Sequence, residues 1–157
     1  MTIELVRKEQ LAELAVLFNQ YRIFYKQSSD LKAAKQFLEE RFQRQDSIIL
    51  VAKDGDRSTL PPKADRLIGF TQLYPSFSSV SLKRIWILND LYVAESARHR
   101  GVAQRLMVAA EKHARLTCAV RIVLSTQMTN TIAQKLYESR GYIKDTEFLH
   151  YALPLSP

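Results

Sequence analysis

The sequence predicts a mixed α/β fold, with one central, mostly antiparallel sheet of about seven strands flanked by about four helices in a single domain over residues 1–157. Three observations carry that expectation. The chain is 157 residues long with 46% hydrophobic residues, enough for one buried core. Its apolar pattern switches repeatedly between a period of two and a period of 3.6, in the order β-α-α-β-β-β-α-β-α-β-β. A strand–helix–strand unit spans Trp86 to Thr126, and such a unit requires parallel pairing through a crossover. The strands before it include hairpin-joined ones, which pair antiparallel.

Taken in order, "TIELVR" has strand character, and Leu11, Leu14, Ala15, Phe18, Arg22 and Tyr25 follow with helical spacing. "SSD" at Ser28–Asp30 offers N-cap oxygens to a second amphipathic helix marked by Leu31, Ala34, Leu38 and Phe42. "SIILVAK" reads as a buried strand. The polar stretch Asp54–Asp65 reads as a surface hairpin loop. "RLIGFTQLY" is the next strand, "PSFSS" breaks it, and "VSLKRIWILNDLYVA" makes a long strand ending near Val93. Val102, Leu106, Ala109, Ala110 and Ala114 mark a helix opening at about Arg100. "AVRIVLST" is a short β-branched strand, and "NTIAQKLYESR" is a helix that Gly141 ends at C′. "GYIKD" and "EFLHYALPL" are expected to be two closing strands.

The formal charge is +7, which favours an anionic partner. The charge is spread: 14 basic and 10 acidic residues precede Ile87, and 9 and 6 follow from it onward. Interleaving of this kind is the pattern of a solvated surface, and nucleic acid is not the expected partner. The local exception is Arg98, His99, Arg100 and Arg105. No run approaches the roughly 18 apolar residues of a membrane span. "MTIELVRKEQ" lacks the order of a signal peptide. Cys118 is the one cysteine, so no internal disulfide forms, and a cytoplasmic location is expected. His99, His113 and His150 show no metal-ligand spacing with Cys118. Cys118 itself reads as a packed small hydrophobe.

"SARHRGVAQRL" places Gly101 at a strand-to-helix junction beside three basic residues. A helix N-terminus carries unpaired N–H groups and partial positive charge. Glycine admits close approach to the backbone, so the stretch suits a pyrophosphate. A plain helix entry with solvated arginines fits it equally well. Neither G-x-x-x-x-G-K-[ST] nor G-x-G-x-x-G is present.

Arg98-x-x-Gly101-x-Ala103, following "LNDLYVAESA", resembles the Q/R-x-x-G-x-G/A loop of the GCN5-related N-acetyltransferases, the GNAT superfamily. A second block strengthens the resemblance. Asn130, Ala133, Leu136, Tyr137, Glu138, Gly141 and Tyr142 match the family's N-x-x-A-x-x-L-Y-E-x-x-G-[FY] segment. The blocks together cover about Leu88 to Tyr142. "ILNDLYV" and "FYKQSSD" look most like the histone and polyamine acetyltransferase branch.

The resemblance implies the GNAT fold with a splayed parallel strand pair. It implies transfer of an acetyl group from acetyl-CoA to a primary amine of a small molecule, a protein lysine or an N-terminus, with no metal and with a homodimer as a common assembly. It places the cofactor's pyrophosphate on Arg98, His99, Arg100, Gly101, Val102 and Ala103. It places the pantetheine amides on the backbone around Leu91, Tyr92 and Val93. Asn130 either contacts the cofactor or caps its helix, and small Ala133 leaves room for the cofactor arm.

Such a reaction needs a neutral amine, and an alkylamine of pKa near 10.4 is only about a thousandth neutral at pH 7.4. It also needs a proton for the leaving thiolate. Tyr137 resembles the family's general acid, and a phenol of ordinary pKa stays protonated. Diamine acetyltransferases carry a glutamate where Asn89 stands, and an amide cannot take a proton. Asp90 is one residue on and points to the other face of a regular strand, although a β-bulge would alter that. It reads either as the base or as a structural hydrogen-bonding carboxylate. Glu147, His150 and a water chain are alternatives for the base. Trp86 reads as core or dimer surface. Tyr21, Phe24 and Tyr25 are acceptor-site candidates as well as core candidates. A non-catalytic acyl-CoA sensor or nucleic-acid-binding module is the competing reading of the whole chain.

Overall fold

The computed structural model describes residues 1–55 and 66–155. The chain divides into a larger unit, Met1–Leu124, and a smaller one from Ser125 onward. The larger unit is a five-stranded sheet in the order β1-β2-β3-β4-β5. The strands are β1 Thr2–Leu5, β2 Ile48–Asp54, β3 Arg66–Ser78, β4 Lys83–Val93 and β5 Ile122–Val123. The first three pairings are antiparallel and β4 with β5 is parallel. The helices are α1 Leu11–Phe24, α2 Leu31–Arg44 and α3 Val102–Leu116, with α4 Thr131–Ser139 in the smaller unit.

Both faces of the larger unit's sheet are covered. Leu11, Leu14, Ala15 and Phe18 of α1, with Ala34 and Leu38 of α2, bury against Val51, Leu67 and Phe70. Val102, Leu106, Ala110 and Ala114 form one i, i+4 row of α3 against Ala52, Leu73, Trp86 and Leu88 on the other face. The approach of α3 is close at Gly69, where an added Cβ would stand 2.8 Å from the Tyr92 carbonyl oxygen and 3.3 Å from Val102 Cγ1. Asp30 caps α2, its carboxylate accepting from Ala33 N–H at 2.9 Å, a contact worth about 1 kcal/mol.

Several expectations are corrected. The sheet has five strands among the described residues, where about seven were expected. β3 continues through Pro75, which pairs with Trp86. Its β2 partner begins only at the Ile48–Leu73 pair, so this stretch is an edge, and proline's missing N–H costs no ladder bond there. β5 is two residues long, shorter than "AVRIVLST" suggested. Neither closing strand forms among residues 141–155. Asp145 Oδ1 instead accepts from the N–H groups of Glu147 and Phe148, a local bond that competes with a ladder. Cys118 is exposed at the C′ position of α3 with φ 54°. Trp86 is core, 4% exposed, with Nε1 donating to Thr117 Oγ1 at 2.8 Å. Most of the Asp54–Asp65 loop lies outside the described residues. Among those described, no helix is long and apolar enough to cross a membrane.

Candidate active site

A one-residue irregularity in β4 builds the centre of the site. Leu88 pairs with Leu73 of β3 and Asp90 with Gln72, leaving Asn89 as an extra residue between them. This is the arrangement of a β-bulge. Up to it, Trp86 and Leu88 face α3; beyond it, Leu91 packs with that cluster and Tyr92 joins the α1–α2 cluster. In a regular strand Asp90 would share the face of Leu88. The bulge turns it to the α1–α2 side, against Gln72 and Tyr21.

Asp90 is 3% exposed. Gln72 Nε2 donates to Oδ2 at 3.2 Å and Asn89 Nδ2 donates to Oδ1 at 3.1 Å. Tyr21 is a further side-chain hydrogen-bond partner. Burial raises the carboxyl above the ordinary aspartate value of 3.8, and the bonds from Tyr21, Asn89 and Gln72 offset only part of that. Gln72 Nε2 also donates to the Tyr74 hydroxyl. Burial and the nearby Asp90 charge push Tyr74 up to about 12 and raise Tyr25 as well. Tyr25 stands edge-on to Tyr21 with centroids 5.0 Å apart, and the Tyr21 hydroxyl also lies 3.4 Å from the Asn89 carbonyl oxygen. Three tyrosines therefore gather around one buried carboxyl.

The basic loop follows β4. His99 has φ 61° and Gly101 has φ 72°, the left-handed region that a residue with a Cβ enters at a cost of about 1–2 kcal/mol. Gly101 is the N-cap of α3, and no side chain caps that helix start. A Cβ at Gly101 would meet nothing within 4 Å. A sharply turned backbone in front of an uncapped helix N-terminus, open on its outer side, fits the pyrophosphate of coenzyme A. The arginines are partly tied to their own chain. Arg100 pairs with Asp54 at 2.8 Å, Arg98 Nε contacts the Val93 carbonyl at 3.4 Å, and Arg105 contacts the Met1 carbonyl at 3.5 Å. Val102 is 2% exposed with its side chain in the core, so only its backbone can serve a ligand. Ala103 is half-buried.

Along β4, the parallel ladder to β5 covers only Trp86–Ile122 and Ile87–Val123. Leu91, Tyr92 and Val93 run on beyond it, paired to β3 on one side only among the described residues. A groove of about 760 Å³ lies between α1 and the ends of β3 and β4, lined in part by Gln20, Phe24, Arg66, Tyr92 and Arg98.

In the smaller unit, Asn130 is the N-cap of α4, with its side-chain oxygen accepting from Ala133 N–H at 3.2 Å. Tyr137 is half-buried one turn beyond Ala133, its ring 6.1 Å from that of Tyr142. Gly141 ends the helix with φ 85°. The N–H groups of Gly141 and Tyr142 bond to the carbonyls of Glu138 and Tyr137, a Schellman motif. Glu147 and His150 are exposed, and His150 lies 3.7 Å from the Asp145 carboxylate.

Sequence reasoning missed Gln72 and Tyr74. The available signal was "GFTQLY", where an amide interrupts an otherwise apolar strand interior, because a buried amide needs partners.

The Acetyltransferase (GNAT) family profile matches residues 11–142. The chain is 46% identical over 153 residues to the "Uncharacterized N-acetyltransferase YhfO" of Bacillus subtilis strain 168, covering 98% of this chain and 97% of that one. It is 28% identical to a "Probable acetyltransferase" of Haemophilus influenzae, over 98% and 99% of the two chains. A crystal structure of a probable acetyltransferase superposes with a TM-score of 0.90 at 48% identity, covering 100% of this chain and 99% of that one. With this sheet, this loop and these relatives, the chain belongs to the GNAT family and is an acyltransferase of the N-acetyltransferase class.

Proposed function

We propose that the 1–157 chain acts as a single domain that transfers an acetyl group from acetyl-CoA to a primary amine by direct attack in a ternary complex. A cytoplasmic location and a homodimeric assembly belong to this reading. The observation that carries it is the β4 bulge. It sets a buried carboxyl of raised pKa on the α1–α2 side of the strand whose end leads into the turned loop before α3.

Acetyl-CoA, when bound, supplies the activated acyl group. His99, Arg100, Gly101 and the first N–H groups of α3, at Val102 and Ala103, hold its pyrophosphate. The Arg98 side chain adds charge beside them. The backbone edge at Leu91, Tyr92 and Val93, which β5 leaves uncovered among the described residues, orients the pantetheine. Asn130 fixes the start of α4, and Ala133 keeps its first turn small. Asp90 Oδ takes a proton from the acceptor ammonium and leaves the nitrogen lone pair free to attack. An acid of raised pKa does this better than an ordinary aspartate, because its conjugate base is stronger. The Tyr137 hydroxyl gives a proton to the departing sulfur.

The test is thiol release from acetyl-CoA across a panel of amines, with wild type beside Asp90→Asn and Tyr137→Phe. Amine-dependent release that falls in both variants is expected. Release that no amine stimulates would overturn the reading.

A further inference from the structure

The hydrogen bonds around Asp90 do not balance. A carboxylate offers about four acceptor sites, and Tyr21, Asn89 and Gln72 occupy three. Gln72 is 0% exposed, and its Oε1 has no hydrogen-bond partner among the described residues. Its Nε2 is directed at Asp90 and at the Tyr74 hydroxyl, so the orphan cannot be relieved by turning the amide over. That would set Oε1 against the carboxylate instead. Among the described residues the Tyr74 O–H, kept protonated by its raised pKa, is the one donor left over, and it cannot fill the acceptor sites that remain on Gln72 Oε1, Asp90 and Tyr74 itself. A buried acceptor left unmade is costly. The guest that fits is rich in donors, has no acceptor and is positively charged. A primary ammonium has three N–H donors and no lone pair. The hydroxyls of Tyr21 and Tyr74 reach the cluster, and Tyr25 stands beside it.

We propose that Gln72, Asp90 and Tyr74 form the receptor for the –NH3+ head of an unbranched primary alkylamine, and so select the acceptor of this enzyme. The inference rests on the acetyltransferase reading above. It adds that Gln72 and Tyr74 determine specificity by touching the acceptor. Arylamines, neutral at pH 7.5 and broad at the nitrogen, fit poorly. Secondary and tertiary amines offer fewer donors. A free alkylamine and a lysine side chain present the same head, and the experiment separates them.

The test compares n-pentylamine, a lysine peptide with a blocked N-terminus, and aniline. Each is assayed with acetyl-CoA against wild type, Gln72→Met and Tyr74→Phe. Wild type is expected to prefer pentylamine or the peptide over aniline by at least about tenfold, and whichever of the two gives the higher kcat/KM identifies the source. Each variant is expected to raise the KM of that alkylamine about tenfold or more, as for a lost hydrogen bond to a charged group. The Kd for acetyl-CoA, measured by calorimetry, is expected to hold within twofold. Equal use of aniline by wild type, or variants that lower kcat while leaving the alkylamine KM unchanged, would overturn the proposal. If no amine is acetylated, pentylammonium chloride is titrated into the three proteins and followed by tyrosine absorbance. Saturable binding in wild type that Gln72→Met and Tyr74→Phe both weaken sustains the receptor without the enzyme reading. Absence of binding, as when a water fills the cluster, defeats it. Thermal melts show whether each variant is folded, and Tyr74→Phe, which removes one oxygen, tests the proposal should Gln72→Met not fold.

Discussion

Gln72 and Asp90 face each other across the β3–β4 ladder, both buried, with the Gln72 amide donating to Asp90 Oδ2 at 3.2 Å. The pair exists because Asn89 is the one extra residue of β4. Asp90→Asn separates the two things that such a carboxyl does. As a base it is expected to carry about 10²–10⁴ of the rate, so kcat should fall by that order. As a buried acid it opposes folding. Its folded pKa lies above the ordinary 3.8, so between those two values the folded chain binds more protons than the unfolded one, and stability falls as pH rises through that window. Above the window the cost persists. Asp90→Asn should therefore raise the melting temperature at pH 7.5, and the advantage should vanish in acid below about pH 4. Thermal melts at both pH values check this, and a variant less stable at pH 7.5 would contradict it.

The same carboxyl sets the acid side of the pH profile. With Tyr21, Asn89 and Gln72 bonded to it and Tyr25 and Tyr74 beside it, the acid limb of kcat/KM should lie above the ordinary aspartate range. The Gln72 bond favours the ionised form. Gln72→Met should move the limb to higher pH, because the remaining burial then acts with less opposition. A limb that stays in place or moves down would show that another group titrates.

Much of this arrangement is legible in the residues, and the illegible part has a physical pattern. The Leu11-to-Phe18 stripe, the Asp30 cap and the Gly141 stop are local rules, each decided within one or two turns, and each appears where expected. The loop at Gly101 is legible for the same reason. The bulge is different. Whether Asp90 faces α1 or α3 depends on one residue of register between two strands, and "WILNDLYV" reads the same either way. Gln72 and Tyr74 acquire meaning only once that register brings Asp90 opposite. The closing strands failed through competition: "EFLHYALPL" is a largely apolar run of strand length, but Asp145 takes two of the following N–H groups.

The loop offers a separable prediction, because Arg100 is bound to Asp54 at 2.8 Å. Its charge acts on phosphate directly, or it acts by holding the loop in place. Arg100→Glu should raise the acetyl-CoA KM in either case, since it loses the cation and repels Asp54. The swapped pair Asp54→Lys with Arg100→Glu restores the ion pair at the loop while leaving the wrong charge on residue 100. Direct action on phosphate predicts that KM stays high, and that is the expected result. Recovery of KM to within twofold of wild type would assign Arg100 to fixing the loop. The pair is half-exposed, so stability should change by less than about 1 kcal/mol in any of these variants. Gly101→Ala, which imposes a Cβ on φ 72° in open space, should cost about 1–2 kcal/mol of stability.

Tyr137 supplies the last prediction. It lies on the α4 turn that follows Ala133, half-buried, with its carbonyl engaged by the N–H groups of Arg140 and Tyr142 at the helix end. Those backbone bonds do not involve the phenol, so Tyr137→Phe should leave the helix end intact, and a thermal melt measures what the hydroxyl contributes to stability. The hydroxyl is the only group removed. If it protonates the departing thiolate, kcat should drop by about 10² or more, and the KM values for acetyl-CoA and the amine should move little. Steady-state kinetics at pH 7.5 give these quantities. A kcat within twofold of wild type would assign Tyr137 to packing beside Tyr142 and require the thiolate to leave without a protein acid.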